Sequence, residues 1–180
     1  LEEIDIVCRG EGEHSLKEII DAIHNGSGFD GILGISYRKS GGIYHAPPRP
    51  FEKNLDLFRS YDIQEGDLTN KGLLGATKLD GLHSYIPVRT TRGCPNKCVF
   101  CTATADIVRF HSVDYVINEI TNIIKATNIK QIAFTDSSLT IRRSHITGLC
   151  EEILRKKLDI KWSCYSRVNI DLELLKLMKR

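Results

Sequence analysis

Apolar positions fall into two regimes along the chain. From Tyr85 onward, short apolar runs alternate with stretches of helical periodicity. The sequence there predicts a strand near Ile86 to Thr91, a helix over about Ser112 to Thr127 and a strand over Gln131 to Thr135. A second helix follows over about Arg142 to Lys157, then a third strand over Ile160 to Tyr165 and a third helix capped by Asp171. In the first of these helices Val116, Ile117, Ile120, Ile123 and Ile124 share one face, and Ser112 stands where an N-cap oxygen is wanted. Strand and helix units repeated in this way predict an α/β fold with a parallel sheet. Function in such folds gathers on the loops at the C-terminal ends of the strands.

The N-terminal part is less regular. Ile4-Asp5-Ile6-Val7-Cys8 reads as a short buried strand, and Arg9 to Glu13 turns it into a helix from about His14 to Asn25. Leu16, Ile19, Ile20 and Ile23 line its expected buried face, Gly26 and Gly28 end it, and Glu11 and Glu13 suit the positive end of its dipole. Ile32 to Arg38 and Gly42 to His45, joined by Lys39-Ser40-Gly41, predict a β-hairpin. The Pro-rich run Ala46-Pro47-Pro48-Arg49-Pro50 then opens a linker reaching about Ser84.

Composition narrows the class without naming a partner. With 180 residues the chain is long enough for one real core, and Lys plus Arg exceed Asp plus Glu by only two. So small an excess points to neither nucleic acid nor a membrane surface, and no apolar run approaches the roughly 20 residues that span a bilayer. Six cysteines without a secretory leader fit a reducing cytoplasm better than a disulfide scaffold.

Three of those cysteines change the picture. Cys94, Cys98 and Cys101 lie inside Arg92-Gly93-Cys94-Pro95-Asn96-Lys97-Cys98-Val99-Phe100-Cys101, a Cys-x3-Cys-x2-Cys spacing with Gly93 and Pro95 suited to a tight loop. Structural zinc takes four ligands, usually from two separated pairs, so this loop would have to borrow a distant Cys or His. A cubane iron–sulfur cluster takes thiolates as standard ligands, and one short loop reaches three of its corners, leaving an iron open to bind a substrate or cofactor. A zinc knuckle and reduced core thiols remain the alternatives. Cys8, Cys150 and Cys164 lie in apolar strand or helix patterns and read as core thiols. Gly10-x-Gly12 is too short for a phosphate loop.

With Phe100 just before the last cysteine, this loop resembles the signature of the radical S-adenosylmethionine (SAM) enzymes. The resemblance implies a [4Fe-4S] cluster on Cys94, Cys98 and Cys101 whose open iron chelates SAM. It implies reductive cleavage of SAM to a 5′-deoxyadenosyl radical, with electrons from a low-potential donor such as ferredoxin or flavodoxin and an unidentified, small-molecule or other, substrate. The run Val7-Cys8-Arg9-Gly10-Glu11-Gly12-Glu13, with the helix, hairpin and Pro-rich stretch behind it, resembles the subgroup that carries a cobalamin-binding domain in front. That likeness implies cobalamin-dependent methyl transfer or a rearrangement. The Asp-x-His-x-x-Gly motif of the cobalamin domain does not occur in this chain.

The same resemblance divides the chain. Residues 1–30 would close a cobalamin-binding-like domain, 31–85 would form the hairpin and linker, and 86–180 would be the first half of a partial (βα)6 barrel. The chain opens on Leu1 within a strand pattern and ends at Arg180 within a helix pattern, so it reads as a piece of a longer protein. Among site residues the resemblance adds Phe100; Asp136, after the second strand, near the SAM amino group; and Ser166 and Arg167, after the third, near its ribose or carboxylate. Ser137 stands where relatives often carry a second acid, leaving Asp136 open to reading as a turn residue bonding its own backbone. Arg167 offers a planar fork to a carboxylate, with a surface salt bridge as the competing reading. Arg109 and His111 occupy an Arg-x-Arg-Ser position and read as helix entry, while Glu119 reads as solvent-side or barrel-wall polarity. The competing class throughout is a non-catalytic zinc or iron–sulfur binding module.

Overall fold

The computed structural model describes residues 3–58, 85–102, 107–168 and 170–180. They form two units, Leu1–Glu52 and Lys53–Arg180. The expected linker falls partly on residues 59–84, outside the described residues.

In the first unit β1 (Ile6–Cys8), β2 (Ile35–Lys39) and β3 (Gly42–His45) make an antiparallel sheet in the order β1-β2-β3, with α1 (Glu13–His24) between the first two in sequence. The segment expected to close an upstream domain and the hairpin expected to open the linker therefore share one sheet. The hairpin turn has two residues rather than three. Lys39 pairs with Gly42, and Ser40 and Gly41 both take positive φ, as the right-handed twist of a hairpin demands.

Helix α1 buries a different stripe from the expected one. Ser15, Ile19 and Ala22 face inward, whereas Leu16, Ile20 and Ile23 are 53%, 55% and 62% exposed. Small residues let the helix approach closely, and the Ser15 hydroxyl donates to the Leu33 carbonyl at 2.9 Å. Apolar periodicity cannot register a contact face built on a serine. The helix ends as expected: Gly26 takes φ +63° and its N–H bonds Ile23 O, while Ser27 N–H reaches back to Ala22 O.

Gly34 (φ +73°) ties this unit together, accepting from Arg9 N–H at 2.7 Å and donating to Pro47 O at 2.8 Å. A Cβ there would stand 3.1 Å from Arg49 Cβ.

The second unit carries the repeating pattern. After a 3₁₀ turn at Leu55–Leu57 come β4 (Ile86–Val88), β5 (Thr91–Arg92), β6 (Arg109–Phe110), α2 (Val113–Thr127), β7 (Gln131–Phe134), α3 (Arg143–Arg155), β8 (Lys161–Cys164) and α4 (Leu172–Lys179). Strands β4, β7 and β8 pair in parallel in that order, so the parallel sheet is present as predicted. The expected strand from Ile86 to Thr91 is broken in two, because Thr91 leaves the parallel ladder to pair antiparallel with Phe110.

Caps match the sequence reading. The Ser112 side chain accepts from Tyr115 N–H, and the Asp171 side chain accepts from Leu174 N–H. Val116, Ile117, Ile120 and Ile123 of α2 pack with Ile132 and Phe134 of β7 and Ile146 and Leu149 of α3 in one core. Buried in or packed against that core, Cys150 and Cys164 behave as structural thiols; burial pushes Cys150 up to about 11.

Among the described residues, α2 and α3 pack in one core with the sheet. Tyr85, Gln131, Ala133, Thr135, Lys161 and Tyr165 line an open groove of about 590 Å³.

Gly34→Ala should destabilise the first unit by roughly 1–3 kcal/mol, because an alanine resists positive φ and meets Arg49. Faster hydrogen exchange of the Ile35 amide would report it.

Of the two places open to Glu119, solvent side or barrel wall, the structure half-buries it on α2, and burial raises its carboxyl to about 7. Because the folded value lies above the unfolded one, folding favours the protonated form. The penalty is absent below the ordinary pKa of 4.5 and grows until the pH passes about 7. Glu119→Gln should therefore leave stability unchanged at low pH and raise it above neutral by up to about 3 kcal/mol. Urea unfolding at the two pH values measures both.

Candidate metal centre

The cysteine loop is held at its neck. Its two ends are β5 and β6, paired antiparallel with Thr91 opposite Phe110 and Arg92 opposite Arg109, and His111 N–H closes the ribbon on Thr90 O at 2.9 Å. Gly93 takes φ +94° immediately beyond β5, a conformation that suits glycine, and turns the chain into the loop.

Each side of this neck packs on a different element. Arg92 lies 4.8 Å over the Phe58 ring, and Arg142 lies 3.8 Å over the Phe110 ring. His145 of α3 meets Phe110 edge-on at 5.0 Å, while His111 stacks on Tyr115 at 4.3 Å. His111 and Arg109 thus sit in the entry to α2, as the sequence suggests. Burial holds the His111 imidazole below its ordinary value against the pull of Asp56, so neutral His111 donates Nδ1–H to Asp56 Oδ1 at 3.2 Å. Burial would raise the Asp56 carboxyl, but bonds from Ser112 and His111 outweigh it and hold Asp56 below its usual range. His145 is likewise pushed down, chiefly by burial.

Within the loop, Cys94 is buried, Cys98 half-buried and Cys101 exposed. The Cys101 N–H bonds Cys98 O at 3.0 Å, so these two residues share one turn. Phe100, between them, is 88% exposed. The Asn96 side-chain amide donates to Cys94 Sγ at 3.3 Å, and Asn96 Oδ1 accepts from Arg167 Nη1 at 2.7 Å. Arg167 therefore reaches the cysteine loop from beyond β8 through an asparagine, not through an acid. Its neighbour Ser166 shares a 2.5 Å hydrogen bond with Thr140 Oγ1.

Asp136 is only 1% exposed and does not bond its own turn. Its Oδ1 accepts from Thr90 N at 2.9 Å, Thr91 N at 2.5 Å and Thr91 Oγ1 at 2.7 Å.

The sulfurs of Cys94, Cys98 and Cys101 do not converge: among the described residues no group of three or more Cys, His, Asp or Glu side chains is gathered to hold a metal. The donor set nevertheless suits a thiolate-ligated cluster. Three thiols lie on one loop tethered at both ends, while Cys150 and Cys164 belong to the core on α3 and β8. The N–H of Asn96 on Cys94 Sγ is the kind of second-layer bond that orients and tunes such a ligand.

Thr90, Thr91, Asn96, Asp56 and His145 escaped the sequence reading. The one signal available was the Thr-Thr pair between an apolar strand and the cysteine loop, two polar residues where a strand pattern stops.

No protein-family model matches the chain. It is 38% identical over 171 residues to an uncharacterized methyltransferase of Pyrococcus horikoshii, an alignment covering 92% of this chain and 35% of that protein. The chain thus spans about a third of the length of this curated relative. Its fold is similar to that of the radical SAM methyltransferase TsrM from Kitasatospora setae, with a TM-score of 0.70 at 19% identity over 97% of this chain and 35% of that one. A second structure of TsrM holds cobalamin and a [4Fe-4S] cluster. OxsB, a cobalamin-dependent SAM radical enzyme, is similar with a TM-score of 0.64 at 22% identity, over 87% of this chain and 22% of that one. At these identities the likeness to the solved structures is one of fold.

In the metal-free protein, alkylation by iodoacetamide should proceed fastest at Cys101, more slowly at Cys98 and slowest at Cys94, following their exposure. Mass spectrometry of timed digests gives the order, and equal rates at all three would contradict the described loop.

Proposed function

We propose that this chain, which resembles the radical SAM enzymes in sequence and their cobalamin-dependent members in fold, is the cluster-binding part of such an enzyme. The observation that carries the reading is a loop with three thiols and no fourth, tethered by a two-stranded neck at the C-terminal end of a parallel sheet. Cys94, Cys98 and Cys101 would hold a [4Fe-4S] cluster. When bound, the cluster supplies an open iron for SAM and the electron for its reductive cleavage to a 5′-deoxyadenosyl radical.

The chain's own residues do the rest. Arg167, fixed to the loop through Asn96, offers its planar fork to the SAM carboxylate, and Ser166 offers a hydroxyl beside it. Phe100 presents an exposed ring next to Cys101 as an apolar surface for SAM. A low-potential ferredoxin or flavodoxin in a reducing cytoplasm is the electron donor that such chemistry needs, and the substrate is a small molecule of unassigned class.

Residues 86–180 form the first half of a partial (βα)6 barrel in this reading. The parallel order of β4, β7 and β8, each pair joined through a helix, supports it. The first 30 residues close a cobalamin-binding-like domain, and residues 31–85 lead from it to the barrel. Cobalamin-dependent methyl transfer is the reaction favoured, because the Pyrococcus relative and TsrM are both described as methyltransferases.

Anaerobic reconstitution of the full-length protein with iron and sulfide should give about four irons per chain, and the reduced form an EPR signal that SAM perturbs. Cys98→Ala should abolish both. One zinc per chain with no sulfide would sink the enzyme reading in favour of a metal-binding module. No helix in the described residues is long and apolar enough to cross a membrane.

A further inference from the structure

We infer that Asp136 is a positioning residue for the cysteine loop: its carboxylate fixes the β5 side of the neck and thereby sets where Cys94 is presented. The consequence for cluster binding rests on the function proposed above, but the positioning itself does not.

Three observations converge on this role. First, one oxygen takes three donors, two from consecutive backbone N–H groups and one from the Thr91 hydroxyl, all from residues at most 2% exposed. A charged acceptor makes each of these bonds stronger than its neutral counterpart. Second, the Thr90 peptide is held from both sides, with its N–H on Asp136 and its carbonyl on the His111 N–H. A shift at Asp136 would therefore move both strands of the neck. Third, Cys94 lies two residues beyond β5, across Gly93, so no intervening element absorbs a displacement of Thr91.

Asp136 Oδ2 is buried without a hydrogen-bond partner among the described residues, as are Ser138 Oγ, Thr90 Oγ1 and His145 Nε2. All three donors meet Oδ1, so the positioning role rests on that oxygen and not on Oδ2.

The test uses the full-length protein and the rate at which iodoacetamide labels Cys94 before any iron is added. Cys150, buried in the core on α3 and joined to the neck by no hydrogen bond among the described residues, is the internal control. Asp136→Asn and Asp136→Ala should accelerate Cys94 labelling, the alanine by about tenfold or more, while Cys150 labelling stays at the wild-type rate. Thr91→Val, which removes only the hydroxyl donor, should accelerate Cys94 by a smaller factor, and Thr91→Ser should restore the wild-type rate. Unchanged Cys94 labelling in a folded Asp136→Ala protein would overturn the inference. So would equal acceleration of Cys94 and Cys150, which marks Asp136 as a general support of the fold.

A second arm follows reconstitution. Asp136→Asn should lower iron content or broaden the EPR signal of the reduced cluster, with SAM titrating whatever cluster forms at near wild-type concentrations. SAM binding weakened by about tenfold, with Cys94 labelling unchanged, would make Asp136 a ligand contact and overturn the positioning role. If wild-type protein takes up no iron, the proposed function fails while the labelling result still decides the role of Asp136.

Discussion

Where β4 stops and β5 begins, two consecutive backbone N–H groups, those of Thr90 and Thr91, leave the parallel ladder in a place shut off from water. Unsatisfied, each buried donor would cost about 1–3 kcal/mol, so this break in the sheet exists only because something accepts from both. The acceptor is the Asp136 carboxylate, delivered from the end of β7, with the Thr91 hydroxyl on the same oxygen. The cysteine loop depends on this arrangement, since Thr91 begins one strand of its neck and Phe110 answers it on the other.

Around the neck, burial and hydrogen bonding set the charge of neighbouring groups. His111 loses its charge to burial yet keeps a bond to Asp56, and Asp56 keeps its charge because Ser112 and His111 donate to it. Arg92 and Arg142 lie over aromatic rings, so their guanidinium groups pack against apolar surface while their charge faces a ring face. The result is a hydrogen-bonded stem under a loop whose tip is exposed: Val99 and Phe100 are open to solvent while Cys94 is not. Such a division suits a ligand loop, in which the tether is firm and the working end is accessible.

Much of the second unit was legible from sequence because its rules are local. The Ser112 and Asp171 caps, the apolar face of α2 and the three parallel strands each rest on residues within a few positions of one another. The cysteine spacing was equally local and suggested the chemistry directly. Legibility failed where a residue's partner is distant. Asp136 bonds residues 45 and 46 positions earlier, and Arg167 reaches Asn96 across 71 positions. Helix α1 failed for a related reason: its buried stripe includes Ser15, whose hydroxyl is satisfied by Leu33, and only the fold reveals that acceptor.

By itself, then, the sequence determined the order of the three parallel strands and their helices, the caps at Ser112 and Asp171, and the presence of three thiols at a spacing suited to a cluster, because backbone geometry and ligand spacing act over short stretches of chain. Tertiary structure alone decided which face of α1 is buried, where the first strand of the sheet breaks, and which side chains hold the cysteine loop in place. Those outcomes are set by hydrogen bonds between groups far apart in sequence, and burial makes those of Asp136 obligatory only once the fold has brought the partners together.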